Sequence, residues 1–504
     1  MANGFSINRQ IVWKMRKHTI LRIPLCVSLF FIFHFSFLNS LHAQPTVELD
    51  RLVRETAEET ALRHATLSVS LYNVTADKKV YGFDDQRAVT PASVEKLLTT
   101  GAGFALLGAD FRFTTRMSIR GEVDREGVLH GNIYIEGGGD PLLGSYRYRQ
   151  TTLDTLFSQW TTALRRRGVR RIDGGVCYNA SLFDNQRLHD SWQWGDVGNY
   201  YGAGVSALNF HENMYFVYFN PGARVGEAAT VSRISPKNIE LMETNTVTTG
   251  EAGSGDQVVV YGAPGSMERL YTGTVPLGKR DFSVRAALPD PARTCADLFA
   301  SYLRTRGIGV SLGAREVTAM PDSLRAVMDY QSIPYSTLAQ YTNHTSNNIY
   351  AESIFKYLGY KQYRRGTFEN GSKAVTAWLA EKGLAADHIV DGSGLSRQNR
   401  MTTDFLCRYL AAMSKESFFE QYLTTLAKAG ESGTARNLLP GLPEGVSVYV
   451  KTGTMEGVKS YAGYIVTGGG ERLAFAIIAN NYNCSGREAA DLLTRILQKM
   501  ATIY

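Results

Sequence analysis

Three short polar motifs follow one another along the chain: Ser93–Lys96, Ser346–Asn348 and Lys451–Thr454. The first places a hydroxyl three residues before an amine, and on a helix these two side chains lie on one face. A serine hydroxyl becomes an effective nucleophile when a base takes its proton, and a lysine whose pKa is lowered by burial and nearby cations can be that base. A helix N-terminus would add a positive dipole end beside a developing oxyanion. The first motif therefore predicts nucleophilic acyl transfer.

The second and third motifs supply the other groups that an acyl-transfer site requires. Ser346 and Asn348 add a hydroxyl and an amide, and Lys451 adds a cation at the end of a predicted strand. Gly453 follows two residues later, and its missing side chain is predicted to let a bound peptide lie against the strand edge. This ordered trio is typical of class A β-lactamases and penicillin-binding proteins.

Each motif alone is a weak signal. Ser353–Lys356 repeats the Ser-x-x-Lys spacing and Ser6–Asn8 repeats Ser-x-Asn, whereas Lys-Thr-Gly occurs once. Ser353 lacks the Pro-Ala approach to a helix start that precedes Ser93, so we assign the nucleophile to Ser93. The order and combination of the three motifs make the prediction specific.

Apolar periodicity predicts the elements that position these motifs. The stretch from about 114 to 317 alternates in short runs broken by glycine clusters, and we interpret it as mostly β. Helices are expected between about 335 and 425. The last helix has one apolar side, and packing on the core is favoured over an amphipathic membrane contact. The remaining predicted elements are a helix over 46–65, a hairpin of strands 67–72 and 79–83, a helix from Pro91 to Gly108, strands 446–450, 459–466 and 473–479, and the closing helix 487–504.

Residues 1–43 differ in composition from the rest of the chain. Five basic residues and no acidic ones precede an apolar run over 23–38, and Leu41–Ala43 offers a small residue at a cleavage position. This pattern predicts a cleaved signal peptide, with an uncleaved membrane anchor as the alternative. In both cases we expect the remaining chain to be exported, and we place it in the periplasm. Membrane contact is expected only through this segment, if it remains uncleaved.

The formal net charge of +7 comes mostly from that segment. Its removal leaves 49 basic and 47 acidic side chains, so no nucleic-acid partner is predicted. The remaining cysteines are widely spaced, without a Cys-x-x-Cys pair or a histidine cluster, and we predict neither a metal site nor another cofactor. Three disulfide pairings are open, although buried free thiols are favoured. These cysteines are Cys177, Cys295, Cys407 and Cys484.

The sequence resembles a known family well beyond the three motifs, from about residue 50 to the C-terminus. It is similar to the D-alanyl-D-alanine carboxypeptidase/endopeptidase family, the class C low-molecular-mass penicillin-binding proteins with a large insertion. The 253 positions between Ser93 and Ser346 also resemble this family, since β-lactamases have a much shorter separation. The further matching segments are Gly137–Pro141, Trp194–Asp196, Tyr201–Ala203, Ser206–Asn209, Asp391–Arg397 and Gly433–Thr434.

The resemblance implies a serine-type D-Ala-D-Ala carboxypeptidase, with D-alanyl endopeptidase activity as a second reaction. Its partners would be peptidoglycan stem peptides ending in D-Ala-D-Ala, and β-lactam antibiotics would inhibit it by acylating the same serine. The implied roles are Ser93 as nucleophile, Lys96 as its base, Ser346 as proton donor to the leaving amine, Asn348 as a holder of the substrate amide, Lys451 and Thr452 as the carboxylate site, and the backbone N–H groups of Ser93 and Thr454, beside Gly453, as the oxyanion hole.

Two further site residues are implied by the resemblance. In the family, an aspartate of the inserted domain and an arginine after a Gly-Leu-Ser stretch recognise the diamino-acid side chain of the stem peptide. The matching positions are Asp196 and Arg397, with a surface aspartate and a structural arginine as the alternative. Glu456 departs from the family pattern, in which a neutral or amide residue is expected at this position. Its carboxylate puts the side-chain preference in question.

The resemblance also implies the fold. We expect an α/β (α+β) transpeptidase/β-lactamase-like domain, an antiparallel sheet flanked by helices, built from residues 46–114 and 318–504. Residues 115–317 would form a β-rich insertion of one or two domains, with a nested subdomain at about 215–290. The site is expected where the helical part meets the strand that carries Lys451.

Two other functions stay open at this point. A serine β-lactamase would need a glutamate that activates a deacylating water, and no Glu-x-x-Leu-Asn-type segment is convincing. A non-catalytic peptidoglycan-binding protein would need no intact nucleophile, yet all the catalytic residues are present. Turnover of penicillin distinguishes the first alternative, and unchanged function of a Ser93→Ala variant distinguishes the second.

Overall fold

A computed structural model describes residues 46–386 and 388–503 of the chain. The predicted signal peptide lies outside these residues. Apart from the first three residues of the first helix, the elements below belong to one compact unit, Leu49–Tyr504. Within the described part of the chain, no helix combines the length and the apolar content of a membrane span.

Most of the longer helices begin where a short polar side chain can cap them. Thr152, Asp290, Thr402 and Ser485 each accept a hydrogen bond from a backbone N–H of the first turn that follows. The helices are α1 (46–58), α2 (Lys96–Leu107), α3 (Leu153–Arg166), α4 (Trp194–Val197), α5 (Pro291–Thr305), α6 (Tyr335–Thr345), α7 (Asn348–Tyr363), α8 (Phe368–Glu381), α9 (Thr403–Met413), α10 (Phe419–Thr424) and α11 (Gly486–Ala501).

The strands are two to ten residues long and fall into several sheets. They are β1 (Thr66–Asn73), β2 (Lys78–Phe83), β3 (Thr114–Val123), β4 (Val128–Glu136), β5 (Arg171–Ile172), β6 (Val176–Asn179), β7 (Met214–Asn220), β8 (Thr230–Ser235), β9 (Met242–Asn245), β10 (Thr248–Gly250), β11 (Val259–Tyr261), β12 (Glu268–Thr272), β13 (Thr274–Pro276), β14 (Phe282–Ala287), β15 (Gly309–Val310), β16 (Arg315–Glu316), β17 (Arg325–Gln331), β18 (Ala427–Lys428), β19 (Ser447–Met455), β20 (Val458–Val466) and β21 (Arg472–Asn480).

A six-stranded antiparallel sheet joins the two ends of the described chain. Its order is β18-β19-β20-β21-β1-β2, so the predicted hairpin β1–β2 pairs through β1 with the last of the three predicted C-terminal strands. Both faces are covered, because Ile477 packs in the cluster that contains α1 and α11, while Ile478 packs in the cluster that contains α2 and α9. The predicted antiparallel sheet flanked by helices is confirmed.

The closing helix α11 packs on this sheet, as the sequence predicted. Its apolar side is buried against the sheet in the same cluster as Val69 and Phe475. The side chains that it buries there are Leu492, Leu493, Ile496, Leu497 and Met500.

Strands β3 to β17, between residues 114 and 331, form sheets that are separate from this one. A mixed seven-stranded sheet runs β15-β5-β4-β3-β17; β6 also pairs with β4, and β16 pairs with β6. Strand β17 pairs with β3. Residues 325–331, which the sequence analysis expects in the transpeptidase-like domain, therefore contribute to the sheet of the insertion. The stretch predicted as mostly β also contains the amphipathic helices α3 and α5, whose apolar sides cover this sheet. Residues 214–287 carry three small sheets around an apolar cluster of their own.

Candidate active site

Ser93 lies in a strained turn at the start of α2. A short 3-10 turn, Ala92–Glu95, runs directly into α2, whose first residue is Lys96. Ala92 adopts a positive φ of 49°, an uncommon conformation for a residue with a side chain. The sequence predicts the two side chains on one helical face, and Lys96 Nζ does lie 2.9 Å from Ser93 Oγ, although Ser93 belongs to the 3-10 turn and not to α2.

The Lys96 amine has three partners, and two of them can only accept. Lys96 Nζ donates to Asn348 Oδ1 at 2.6 Å and to the Ser393 carbonyl at 2.7 Å, and its third neighbour is Ser93 Oγ. The orientation of the Asn348 amide is fixed because its Nδ2 donates to the Tyr201 carbonyl at 2.7 Å. A neutral amine has two N–H groups and one lone pair. With both N–H groups used, that lone pair faces the Ser93 hydroxyl.

Burial lowers the pKa of Lys96 to about 8. The sequence predicted that nearby cations would help to lower it, but the charged neighbours that act most on Lys96 are carboxylates. Glu352, Asp391 and Glu95 all raise its pKa and partly oppose the effect of burial. These carboxylates were missed in the sequence, although Glu352 lies one helical turn after Asn348, on the buried side of α7.

Glu352 is fully buried and interacts electrostatically with Lys96. Burial raises the pKa of its carboxyl to about 8, and its two oxygens accept hydrogen bonds from the backbone N–H groups of Gly392 and Ser393 at 2.9 and 2.8 Å. It therefore fixes the loop whose Ser393 carbonyl contacts Lys96.

Ser346 lies in the tight turn between two helices. It ends α6 with a left-handed φ of 56°, and Asn347 then caps α7. Lys451 Nζ donates to Ser346 Oγ at 2.8 Å and to the Thr452 carbonyl at 2.6 Å. Lys451 is fully buried, and burial followed by repulsion from Lys96 and Lys459 holds its pKa well below its ordinary value. The second and third motifs thus meet through one hydrogen bond.

Gly453 packs directly against the turn that carries Ser93. A Cβ built on it would overlap Ser460 Oγ and would lie 3.0 Å from both the Pro91 carbonyl oxygen and the Ser93 backbone nitrogen. The missing side chain therefore lets β19 approach the turn that carries Ser93, and the predicted room for a bound peptide stays a prediction. The neighbouring Thr452 hydroxyl is 2.8 Å from the Thr434 hydroxyl.

An open cavity of about 920 Å³ covers this cluster. Lys96 and Lys451 lie buried beneath its floor, and Gly453 is buried beside them. The cavity thus brings together predicted residues from five separate parts of the chain. The predicted site residues that line it are Ser93, Ser346, Asn348, Thr452, Thr454, Asp196 and Arg397.

Asp196 and Arg397 lie on the same side of the cavity as Glu456. Burial raises the pKa of Asp196, which accepts a hydrogen bond from the Tyr201 hydroxyl, while Arg397 lowers that pKa and Glu456 raises it. Arg397 Nη1 donates to the Glu456 carbonyl at 3.0 Å, and its Nη2 lies 3.9 Å from Glu456 Oε2. Glu456, which departs from the family pattern, therefore contacts Arg397 directly.

The second Ser-x-x-Lys motif is structural. Ser353 Oγ accepts a hydrogen bond from Asn209 Nδ2 at 2.9 Å, and Lys356 Nζ donates to Asp184 Oδ1 at 2.7 Å and to the Gln186 carbonyl at 2.6 Å. Both motif residues are buried. They tie α7 to the insertion.

The match to a protein family spans nearly all of the described chain. A model of the D-Ala-D-Ala carboxypeptidase 3 (S13) family matches residues 49–500. The chain belongs to this family. The predicted resemblance is confirmed, and with it the enzyme class of serine-type D-Ala-D-Ala carboxypeptidases.

Individual relatives of this S13 chain agree with the family match. A D-alanyl-D-alanine carboxypeptidase of an Actinomadura species is 29% identical over 441 residues, which cover 84% of this chain and 80% of the relative. The D-alanyl-D-alanine carboxypeptidase DacB of Haemophilus influenzae is 24% identical over 446 residues, covering 86% and 89%. The crystal structure of penicillin binding protein 4 from Haemophilus influenzae superposes with a TM-score of 0.76 at 21% identity, covering 89% of this chain and 99% of that chain. The structural likeness confirms the fold.

Proposed function

We propose that this S13 family member hydrolyses the terminal D-Ala-D-Ala bond of peptidoglycan stem peptides through an acyl-enzyme on Ser93. The observation that carries the proposal is the 2.9 Å contact between Lys96 Nζ and Ser93 Oγ; because the other two partners of the amine can only accept, a neutral Lys96 would direct its lone pair at this oxygen. Such an amine can take the Ser93 proton as the oxygen attacks the carbonyl carbon of the penultimate residue. The strained turn at Ala92 exposes this oxygen to the cavity.

The remaining residues divide between charge stabilisation and proton transfer. The backbone N–H groups of Ser93 and Thr454 would hold the oxyanion, since Gly453 brings β19 against the turn of Ser93. Ser346 would relay to the leaving amine the proton that Lys96 takes from Ser93, and its hydrogen bond from Lys451 orients its hydroxyl. Asn348 would hold the substrate amide beside the nucleophile.

The terminal carboxylate of the substrate would bind at Thr452, with Thr434 beside it. Lys451 is buried beneath the cavity floor. Its ammonium group, when protonated, would attract the carboxylate without reaching the cavity surface. Departure of the D-alanine leaves the ester on Ser93, which water then hydrolyses. When the leaving amine belongs to a second stem peptide, the same step is an endopeptidase reaction.

The relatives support this substrate class and its inhibition by β-lactams. Two of them are named D-alanyl-D-alanine carboxypeptidases, and a second crystal structure of the Haemophilus protein holds a β-lactam. A β-lactam would acylate Ser93 and leave a slowly hydrolysed adduct. We infer a periplasmic location, because a peptidoglycan substrate and the predicted signal peptide both favour it.

The experiment is intact-protein mass spectrometry with penicillin, comparing the wild type with Ser93→Ala. We expect one adduct, mapped to Ser93, on the wild type and none on the variant. Absence of an adduct from an intact wild type with unaltered drug would overturn the mechanism and favour a binding protein. Hydrolysed drug beside an unmodified enzyme would identify a β-lactamase.

A further inference from the structure

Three charged side chains meet on one side of the active-site cavity. Asp196 comes from α4, Arg397 from the loop before α9, and Glu456 from the turn between β19 and β20. All three line the cavity that Ser93 also lines. Asp196 is half-buried, the Arg397 side chain is 35% exposed and the Glu456 side chain is 93% exposed.

Arg397 already faces a carboxylate of its own chain. The Glu456 carbonyl accepts from Nη1 at 3.0 Å, and the Glu456 carboxylate lies 3.9 Å from Nη2. Together with Asp196, the three side chains carry a net charge of −1 when all are ionised. An Asp–Arg pair alone would be neutral and would suit a ligand group that carries both an ammonium and a carboxylate.

A ligand carboxylate at Arg397 would have to share the guanidinium with Glu456. Two carboxylates bound to the same guanidinium group repel each other. A ligand ammonium, in contrast, would be attracted by both Asp196 and Glu456. The exposed position of Glu456 limits the repulsion because water and salt screen it. The side chain therefore acts on selectivity more than on overall binding.

We propose that Glu456 makes this pocket select a stem-peptide side chain that ends in an ammonium group and carries no free carboxylate. The inference rests on the proposed function, since it concerns the same cavity. Two sources have this chemistry: a lysine-type side chain, and a diamino diacid whose side-chain carboxylate is amidated. Asp196 holds the ammonium, and Glu456 disfavours the free acid.

The test uses three pentapeptides that differ only in the third residue: lysine, diaminopimelate with a free side-chain carboxylate, and diaminopimelate amidated at that carboxylate. The readout is the ratio of kcat/KM values for release of D-alanine, because a ratio is insensitive to a loss of total activity. For the wild type we expect the free acid to react about three- to fivefold more slowly than the amide, the upper part of the range for exposed charge pairs. High salt should reduce this ratio.

Glu456→Gln should bring the two diaminopimelate peptides to within about twofold of each other. The matched control is Glu444→Gln, which removes an exposed carboxylate before the other end of β19 and outside the cavity and should preserve the wild-type ratio. In the wild type, the kcat/KM values of the lysine peptide and the amidated peptide are compared with each other. The larger value identifies which of the two sources the pocket prefers. Either result supports the proposal.

An unchanged ratio in Glu456→Gln would overturn the inference, as would a wild type that prefers the free acid. These outcomes are separate from failure of the proposed function, which is judged by the penicillin adduct on wild-type Ser93. An adduct without charge selectivity would reject the role of Glu456 alone.

Discussion

Gly453 lies against the turn of Ser93, so closely that a Cβ on Gly453 would come within 3.0 Å of the Ser93 backbone nitrogen. The same Cβ would overlap Ser460 Oγ, which donates a hydrogen bond to the Pro91 carbonyl at 2.6 Å. The strand that carries the third motif thus sets the position of the turn that carries the first. This contact defines the distance between the nucleophile and the proposed oxyanion donor Thr454.

Gly453→Ala should therefore impair acylation more than it impairs folding. A shift of about 1 Å at a reacting group can cost about 10²-fold in rate, and overpacking typically costs about 1–3 kcal/mol of stability. We expect the penicillin acylation rate to fall about 10²-fold in a variant that still unfolds cooperatively. Gly469→Ala is the matched control, since its added Cβ would have no neighbour nearer than 3.8 Å. A wild-type rate in Gly453→Ala would contradict the proposed geometry.

The two Ser-x-x-Lys motifs should separate function from stability. Ser353→Ala leaves the buried Asn209 amide without this acceptor, which costs about 1–3 kcal/mol of unfolding free energy. The Ser353→Ala variant should still form the penicillin adduct, whereas Ser93→Ala should keep its stability and form none. Mass spectrometry and thermal unfolding of both variants check this prediction. Loss of the adduct in a folded Ser353→Ala variant would show that the wrong motif was chosen.

The acylation rate should rise with pH up to about 8. Burial lowers the pKa of Lys96 to about 8, so below that pH most of the amine is protonated and cannot accept the Ser93 proton. Each pH unit below 8 should reduce the rate by about tenfold, and the rate should level off above 8. The apparent pKa belongs to Lys96 together with Glu352, because the two groups interact.

Stopped-flow acylation from pH 6 to 9 measures this profile, with circular dichroism to confirm that the fold persists. Lys96→Arg carries a permanent cation and should be inactive throughout the range. A rate that falls between pH 6 and pH 8 would exclude a neutral lysine base.

Ser346→Ala should slow acylation without abolishing it. The substitution removes the acceptor of Lys451 and the proposed proton donor to the leaving amine. Positioned proton transfer typically contributes about 10²–10⁴-fold, so we expect a loss in this range with the adduct still on Ser93. Thr345→Ala is a neighbouring control, because the Thr345 hydroxyl donates back to the Tyr341 carbonyl of its own helix. An equal loss in the control would mean that the turn, and not the hydroxyl, is responsible.

The four cysteines after the N-terminal segment should carry free thiols. Cys177, Cys295 and Cys407 are buried, and Cys484 is partly exposed; all four are unbonded in the described structure. Alkylation of the folded protein without reductant should therefore modify Cys484 first, and unfolding should make the other three reactive. Peptide mass spectrometry counts the modified sites. Recovery of any disulfide-linked peptide from this protein would contradict the prediction.

The sequence by itself was sufficient for the three motifs and for the strands around the third of them. Alternation of apolar side chains predicted β19, and apolar runs predicted β20 and β21, because both signals are local to the strand. The order of Ser93, Ser346 and Lys451 indicated an acyl-transfer enzyme, because that chemistry requires all three groups, and the further matching segments indicated the family. The helices α3 and α5 were missed despite their capping residues, because glycine-rich β segments surround them in the chain.

Only the tertiary structure decided the geometry of the site. The partners of Lys96 come from positions 93, 348 and 393, and the Tyr201 carbonyl that orients Asn348 comes from the insertion. The carboxylate of Glu352 and the close approach of Gly453 depend on burial and packing between segments far apart in sequence. Residue spacing encodes which groups share an element. Distances and pKa values across elements arise only when the chain packs, because burial and neighbouring charges set them together.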